Sequence, residues 1–310
     1  MTEGKNLLVL GVGGEGHRLA QRFLEKRPLT SIFCFDTKYG SNHYQNPIPE
    51  FLPRERFHYL DYSAVKTRDQ LRRIPRTEEW FGVDKEYYYF DYMLTADDYG
   101  QGPNVVAKRF LARLGLIIDY HQLLDLLISY FAQVSSEQVH IVLACSLNGA
   151  TGSGTFVDFG YLIRAAAVKS QKSVKITGLF LSQKKRCEEY AGQFAPDLIM
   201  NAHVAGQELE YFWNARIYEP DFLGSEFEPF REGPFDVVHI FDDAELSPSD
   251  PTTFQREDEG LHHNGKSVGS FEELFPSLSI LNDFFESHSW LNRDEELRKL
   301  RIFPNRKIYE

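Results

Sequence analysis

A chain of 310 residues can bury a sizeable core, as one large domain or two smaller ones. Hydrophobic residues at 42%, charged residues at 25% and aromatics at 14% exclude a largely disordered chain. A formal net charge of -11, from 45 acidic against 34 basic residues, disfavours non-specific binding to nucleic acid but leaves a local pocket free to hold one nucleotide.

The first residues, Met1-Thr2-Glu3-Gly4-Lys5-Asn6, carry no long apolar signal segment. No stretch reaches about eighteen apolar residues, so no membrane span is expected and the default location is the cytoplasm. Asn6 to Leu10 is a short apolar run ending at glycines, the pattern of a buried strand in a parallel sheet. His17 to Leu24 places Leu19, Ala20, Phe23 and Leu24 on one face of a helix. Ser31 to Phe35 is the next strand, with Asp36 at its end. Thr37 to Pro53 is polar and punctuated by Pro47, Pro49 and Pro53, and reads as a long surface loop. Tyr88 to Met93 is β-prone and aromatic, and helices are predicted over Val105 to Leu114 and Tyr120 to Gln133.

A strand over Val139 to Ala144 is followed by a second glycine-rich loop and a helix over Phe156 to Val168. A strand over Val174 to Leu181, a helix over Asn201 to Trp213 anchored by Val204, Leu209 and Phe212, and a strand over Phe235 to Phe241 come next. Ser247 to Gly269 reads as a mobile polar loop. Phe271 to Phe285 reads as a helix with Pro276 near a kink or in its first turns, and Asn305 to Tyr309 has the pattern of a further strand's start. This alternation predicts an α/β fold: a doubly wound, mostly parallel, Rossmann-like sheet with helices on both faces. In such sheets the ligand lies beyond the C-terminal ends of the strands, where the glycine-rich and acidic loops fall.

The first loop is Gly11-Val12-Gly13-Gly14-Glu15-Gly16. Its glycines let backbone N–H groups approach an anion, and the helix start adds a favourable field. Taken alone it fits a dinucleotide site, a mononucleotide site or a tight turn with no ligand. Asp36, about twenty residues on, favours the dinucleotide and hence an NAD-dependent oxidoreductase. The second loop, Asn148-Gly149-Ala150-Thr151-Gly152-Ser153-Gly154, also opens a helix. Its small residues let backbone amides wrap a phosphate, while Thr151 and Ser153 donate further hydrogen bonds. The helix start favours a negative charge there by about 0.3–1 kcal/mol at exposed sites. A small-residue packing turn is the alternative. No Gly-Lys-Thr or Gly-Lys-Ser element accompanies it, which argues against a P-loop ATPase, and a plain NAD site leaves this second loop unexplained.

The second loop resembles the Gly-Gly-Gly-Thr-Gly-Ser-Gly phosphate signature of tubulin and FtsZ, with Asn148 and Ala150 replacing glycines. Gly11 to Gly16 resembles the first nucleotide loop of FtsZ, with His17 in place of an asparagine. Thr95-Ala96-Asp97-Asp98-Tyr99-Gly100-Gln101-Gly102 resembles the tubulin loop that usually carries two asparagines, tyrosine and glycine. Asp242-Asp243-Ala244-Glu245-Leu246 resembles the loop that contacts ribose or base. Leu291 to Asp294 and Leu300 to Ile308 are similar to the loop after the central helix and the start of the next strand.

The resemblance implies a guanine nucleotide, GTP or GDP. Gly11, Gly13, Gly14 and Glu15 would lie against its phosphates, and Asn148, Gly149, Ala150, Thr151, Gly152, Ser153 and Gly154 would form the main cradle. Gly100 and Gly102 belong to the third loop. Asp97 and Asp98 would repel a triphosphate unless Mg2+ intervenes; the alternative is that one caps a turn and the other faces water. Asp243 would accept from ribose or guanine. Phe271 would stack on the base or sit in the core, and Glu272 would accept from the base edge.

The implied organisation is a nucleotide-binding domain over 1–288, with a central helix near 270–288, and a loop over 289–310 leading into a missing or truncated second domain. In the family a neighbouring subunit supplies the catalytic acids. Asp294 matches the first acid, but the second falls on Leu297, with Glu296 one position earlier; a solvated acidic turn is the alternative for this run. The expectation is a filament-forming or scaffold protein with weak GTP hydrolysis in isolation, active as a GTPase when assembled or partnered through self-association or a protein partner. A nucleotide-binding adaptor that does not polymerise is the second reading. Cys34, Cys145 and Cys187 lack paired spacing and read as small buried hydrophobes or free thiols. His239 reads as structural, His262 and His263 lack a third ligand, and Cys187 with His203 is too weak a pair to suggest zinc.

Overall fold

The computed structural model describes residues 7–37, 48–62, 73, 109–183, 187–188, 195–214, 230 and 232–242. Strand β1 (Leu7–Val12) is buried along its whole length and runs directly into helix α1 (Gly13–Lys26). Strand β2 (Ser31–Thr37) follows, then a short 3-10 turn at Arg54–Arg56 and strand β3 (Phe57–Leu60). Helix α2 (Arg109–Gln133), strand β4 (Gln138–Ser146), helix α3 (Ala150–Lys169), strand β5 (Ser173–Ser182), helix α4 (Ala195–Asn214) and strand β6 (Val237–Asp242) complete the described elements.

The strands form one sheet in the order β3-β2-β1-β4-β5-β6, and every pairing is parallel. The chain winds outward from β1 to β3, returns to β4 beside β1, and winds outward again. The direction of winding therefore reverses between β1 and β4, the place where an open parallel sheet leaves a crevice beyond its strand ends. Both glycine-rich segments sit there.

Alternation along the central strands divides the core. Leu8, Leu10 and Val12, with Phe33, Phe35, Ile141 and Leu143, pack with Leu127, Phe131, Phe156 and Phe159 of α2 and α3. Leu7 and Val9, with Ile32, Cys34, Val142 and Ala144, pack with Leu19, Ala20 and Phe23 of α1. Both faces are covered, which is why these strands are apolar at successive positions rather than every second one. Arg113 grips Asp158 through two bonds of 2.8 and 2.9 Å, joining α2 to α3. Arg164 donates to the Gly233 carbonyl and pairs with Glu232 and Asp236, joining α3 to the approach of β6.

Several boundaries differ from the sequence reading. The predicted first loop shrinks to nothing, because β1 continues through Gly11 and Val12 and α1 begins at Gly13. Likewise α3 begins at Ala150, inside the second glycine loop. The two helices predicted around a break near 115–119 are one helix, α2, and the predicted start at Val105 lies outside the described residues. Strand β3 went unpredicted inside aromatic sequence that follows a proline-rich stretch. The elements expected at 88–93, 271–285 and 305–309, the loop at 247–269 and the proposed division at 288 also lie outside the described residues.

Gly115 explains the apparent break in α2. A Cβ there would sit 2.9 Å from the carbonyl carbon and oxygen of Leu60, so the missing side chain lets α2 cross the end of β3. Alanine normally gains about 1 kcal/mol over glycine inside a helix. Here Gly115→Ala should instead lower the urea midpoint, and Gly115→Val should lower it further, by about 1–3 kcal/mol of overpacking. A midpoint that rises in Gly115→Ala would refute the close crossing.

Candidate functional site

The site is assembled where α1 and α3 begin side by side. Register places Gly11 of β1 opposite Ala144 of β4. A Cβ on Gly11 would lie 2.6 Å from the Gly16 carbonyl oxygen, and one on Gly16 would collide with the Ala144 carbonyl. These two glycines bring the first turn of α1 down onto the sheet. Gly13 has φ +72, a left-handed value that an L side chain rarely adopts, and its vacant Cβ direction points to Thr151 at 3.4 Å.

The second segment divides in the same way. A Cβ on Gly152 would meet the Ser146 carbonyl oxygen at 2.6 Å and Cys145 Cβ at 2.7 Å, and one on Gly154 would collide with the backbone of Arg109. Gly152 and Gly154 are thus contact points with β4 and α2. Gly14 and Gly149 differ: among the described residues, nothing lies within 4 Å of where a Cβ would stand. The N-cap positions Val12 and Gly149 make no side-chain capping bond. First-turn N–H groups have no partner within their own helix, so the two starts present donors to the crevice.

Asp36 is completely buried at the end of β2. Its Oδ1 accepts the Thr37 N–H at 2.8 Å and the Thr151 hydroxyl at 2.8 Å. Thr37 Oγ1 lies 3.1 Å from Thr151 Oγ1. Because the Thr151 proton is directed to the carboxylate, Thr37 is the donor in that pair. The set ties the end of β2 to the first turn of α3. Thr151, expected to donate to a phosphate, has its hydroxyl proton turned inward, and its backbone N–H remains the group suited to an anion.

Asn148 is also buried, at 2% exposure, and all of its polar groups are engaged. Its Oδ1 accepts the Gln183 N–H at 2.7 Å, and its Nδ2 donates to the Leu198 carbonyl at 3.1 Å. Its own carbonyl accepts from Asn201 Nδ2 at 3.0 Å, and its N–H donates to Ser146 Oγ at 3.2 Å. Ser146 Oγ donates in turn to Gln183 Oε1 at 3.0 Å. The asparagine that departs from the all-glycine signature therefore knots β4, β5 and α4 together. Ser153 Oγ donates to the Gly149 carbonyl at 2.6 Å, inside the loop rather than outward. Ala150 is buried beside it, and Glu15 on α1 accepts from Arg18 at 3.4 Å.

His17 closes the rear of the site. Its Nε2 lies 3.0 Å from the Phe35 carbonyl oxygen, so Nε2 carries the donated proton, and its ring meets Phe57 edge-on at 5.3 Å. Burial lowers its pKa below the ordinary 6.5, against the opposing pull of the Asp36 charge. Burial, and then the Asp36 charge, push the Cys34 thiol up to about 12, and burial raises Cys145 as well. All three cysteines are buried and none is in a disulfide.

The structure thus brings together Gly11, Gly13, Gly14, Glu15, Asp36 and the whole run from Asn148 to Gly154. Asp97, Asp98, Gly100, Gly102, Asp243, Phe271, Glu272, Asp294 and Glu296 lie outside the described residues. Sequence reasoning missed Thr37, Arg109, Gln183, Asn201 and Glu208, which hold the loops from behind. Isolated polar residues, in predicted helices or just beyond strand ends, carry no motif. Among the described residues no three His, Cys, Asp or Glu side chains cluster as a metal site, and no helix is long and apolar enough to cross a membrane.

Fold and site together define a Rossmann-type α/β domain with two glycine-opened helices at its switch point. The family model for tubulin-like proteins matches residues 95–257, just over half of the chain, and the chain belongs to that family. No curated protein matches. Among solved structures, the chain is similar to TubZ of Bacillus thuringiensis serovar israelensis in a protofilament crystallised in its GTPγS form, at 16% identity and TM-score 0.38, over 78% of this chain and 48% of that one. It is similar to TubZ of Clostridium botulinum phage c-st with a truncated C-terminal tail, at 13% identity and TM-score 0.44, over 94% of this chain and 64% of that one. It is also similar to CetZ of Methanosaeta thermophila, at 13% identity and TM-score 0.39, over 78% and 47%. The chain spans about half the length of most of these structures.

His17 gives the site a pH dependence. Its folded pKa lies below its unfolded value, so its contribution to stability is complete above about 6.5 and is lost as pH falls toward the folded pKa. Thermal melts at pH 7.5 and 5.5 should show a smaller acid-induced fall in His17→Asn than in the parent chain. An equal or larger fall in the variant would show that His17 is not held neutral.

Proposed function

We propose that this chain binds a guanine nucleotide across the crevice between β1 and β4, as a tubulin-like protein that acts in filament or scaffold assembly. One observation carries the reading. At the switch point of a parallel sheet, two helix starts converge, and Gly14 and Gly149 of those starts have, among the described residues, only open space where a Cβ would stand. The remaining glycines are explained by packing or by backbone conformation; these two are explained by room for a ligand. Uncapped N–H groups at both starts suit phosphate oxygens, and the dipoles of α1 and α3 add to the attraction.

Family resemblance supplies the guanine base, for which Asp243, Phe271 and Glu272 are the proposed contacts, and Mg2+, for which Asp97 and Asp98 are the proposed ligands. Carboxylates and phosphate oxygens together suit that hard cation, which would neutralise their mutual repulsion. The TubZ protofilament in its GTPγS form supports extending self-association to this chain as part of the proposal.

Nucleotide released on denaturing the purified protein should be GDP or GTP. Gly14→Val and Gly149→Val should fold like the parent, since their side chains meet no protein atom, yet lose nucleotide affinity by at least about tenfold, equivalent to roughly 1.4 kcal/mol. Gly152→Val should fail differently, losing stability through its collision with Ser146 and Cys145. Undiminished GDP binding by folded Gly149→Val would overturn the placement.

Hydrolysis is proposed to be slow for the chain alone, because Leu297 occupies the position of the second acid of the family pattern. A leucine cannot orient water through a carboxylate. Phosphate release with Mg2+ should stay slow and rise only linearly with protein concentration. A steeper rise that collapses in Asp294→Ala or Glu296→Ala would restore an assembling GTPase.

A further inference from the structure

Arg109, the first described residue of α2, reaches across to the first turn of α3. Its Nε donates to the Ser153 carbonyl and to Ser153 Oγ, both at 3.2 Å, and its Nη2 donates to the same carbonyl at 2.5 Å. Ser153 Oγ donates onward to the carbonyl of the N-cap Gly149. The guanidinium is therefore fastened, through one side chain, to Gly149, from which α3 starts. Gly154 makes the approach possible, because any side chain there would collide with the Arg109 backbone.

On its other flank Arg109 is paired with Glu208 of α4, through both terminal guanidinium nitrogens. The arginine side chain is only 15% exposed, whereas Glu208 is 38% exposed. The cation is thus the more enclosed partner, and its field is less screened by water than that of the carboxylate. Nε, Nη1 and Nη2 of Arg109 all donate to Ser153 or Glu208. Its influence on a ligand is exerted through charge and through the loop it holds.

We propose that Arg109 is a positioning residue that sets how strongly the α3 loop holds an anion, and that Glu208 attenuates it, so that the junction of α2, α3 and α4 tunes affinity for the phosphates. This rests on the nucleotide reading above. Its distinguishing feature is sign. Removing the positive charge weakens phosphate binding and removing the negative charge strengthens it, although both changes break the same ion pair. A merely structural pair would weaken binding in both cases. The effect also grows with ligand charge, so GTP responds more than GDP.

The test uses the full chain, with fluorescent GDP and GTP analogues titrated at low and high salt and thermal melts confirming the fold of each variant. Arg109→Gln should lose about 3–10-fold in GTP affinity and less in GDP affinity, with the difference shrinking at high salt. Glu208→Gln should gain about 2–5-fold for GTP, and Arg109→Lys should stay within about twofold of the parent. If the parent binds and Glu208→Gln weakens binding, or the two nucleotides respond equally, the tuning role is overturned while the nucleotide site stands. A folded parent that binds neither nucleotide overturns both. If Arg109→Gln does not fold, the sign of Glu208→Gln still decides.

Discussion

The whole edge depends on how closely two helices descend onto two strand ends. Helix α1 leaves β1 with no connecting residues, and its first turn lies against the Ala144 carbonyl of the neighbouring strand. Helix α3 leaves β4 after three residues and lies against Cys145 and Ser146. Any side chain at Gly11, Gly16 or Gly152 would lift a helix away from the sheet. The descent brings the N–H groups of both first turns to one place, so packing at the rear of each helix produces the donor array at its front. Backbone approach, rather than a charged side chain, is what makes this crevice suited to an anion.

Such an arrangement places unpaired polar backbone close to a dry core and must be held from behind. Asp36 and Asn148 do this on opposite sides. Asp36 sits at the end of β2 and draws Thr151 and Thr37 together, so a buried carboxylate receives donors from two elements. Its charge lies among helix starts, whose dipoles favour it. Asn148 performs the matching task toward β5 and α4 with a neutral amide. An all-glycine signature would leave those partners unpaired, at a cost of about 1–3 kcal/mol for each buried group. The departure at Asn148 therefore changes how the loop is supported while leaving the crevice-facing positions small.

Much of this was legible in the sequence. The alternation of strands and helices, the parallel sheet and the two glycine segments at its C-terminal edge follow from local pattern, and the structure and family match agree with them. Boundaries were less legible, because a glycine reads as a turn whether it ends a helix or lets something approach one. The gap left between the helices predicted over 105–114 and 120–133 begins at Gly115, which is a crossing point inside one helix; Gly13 and Gly152 were read as loop and are helix. Thr151 and Ser153 looked like outward donors, yet each hydroxyl is turned toward an inward acceptor. The Gly149 carbonyl meets Ser153 once the first turn of α3 forms, and Asp36 meets Thr151 only when the sheet is formed. Arg109, Gln183, Asn201 and Glu208 were invisible for the same reason: their partners are distant in the chain.

Helix α4 gains a particular position from these contacts. It meets the α3 loop twice, near its own start through Leu198 and Asn201 and further along through Glu208. The first contact is neutral and fixes the backbone of Asn148; the second is ionic and reaches Ser153 through Arg109. A displacement of α4 would alter both supports together, changing loop geometry and local charge in one movement. Helix α4 packs on α3, and its buried apolar groups Ala205 and Leu209 tolerate small sliding better than a directional hydrogen bond does. The polar contacts, being geometrically strict, are therefore where motion of α4 would register first at the α3 loop.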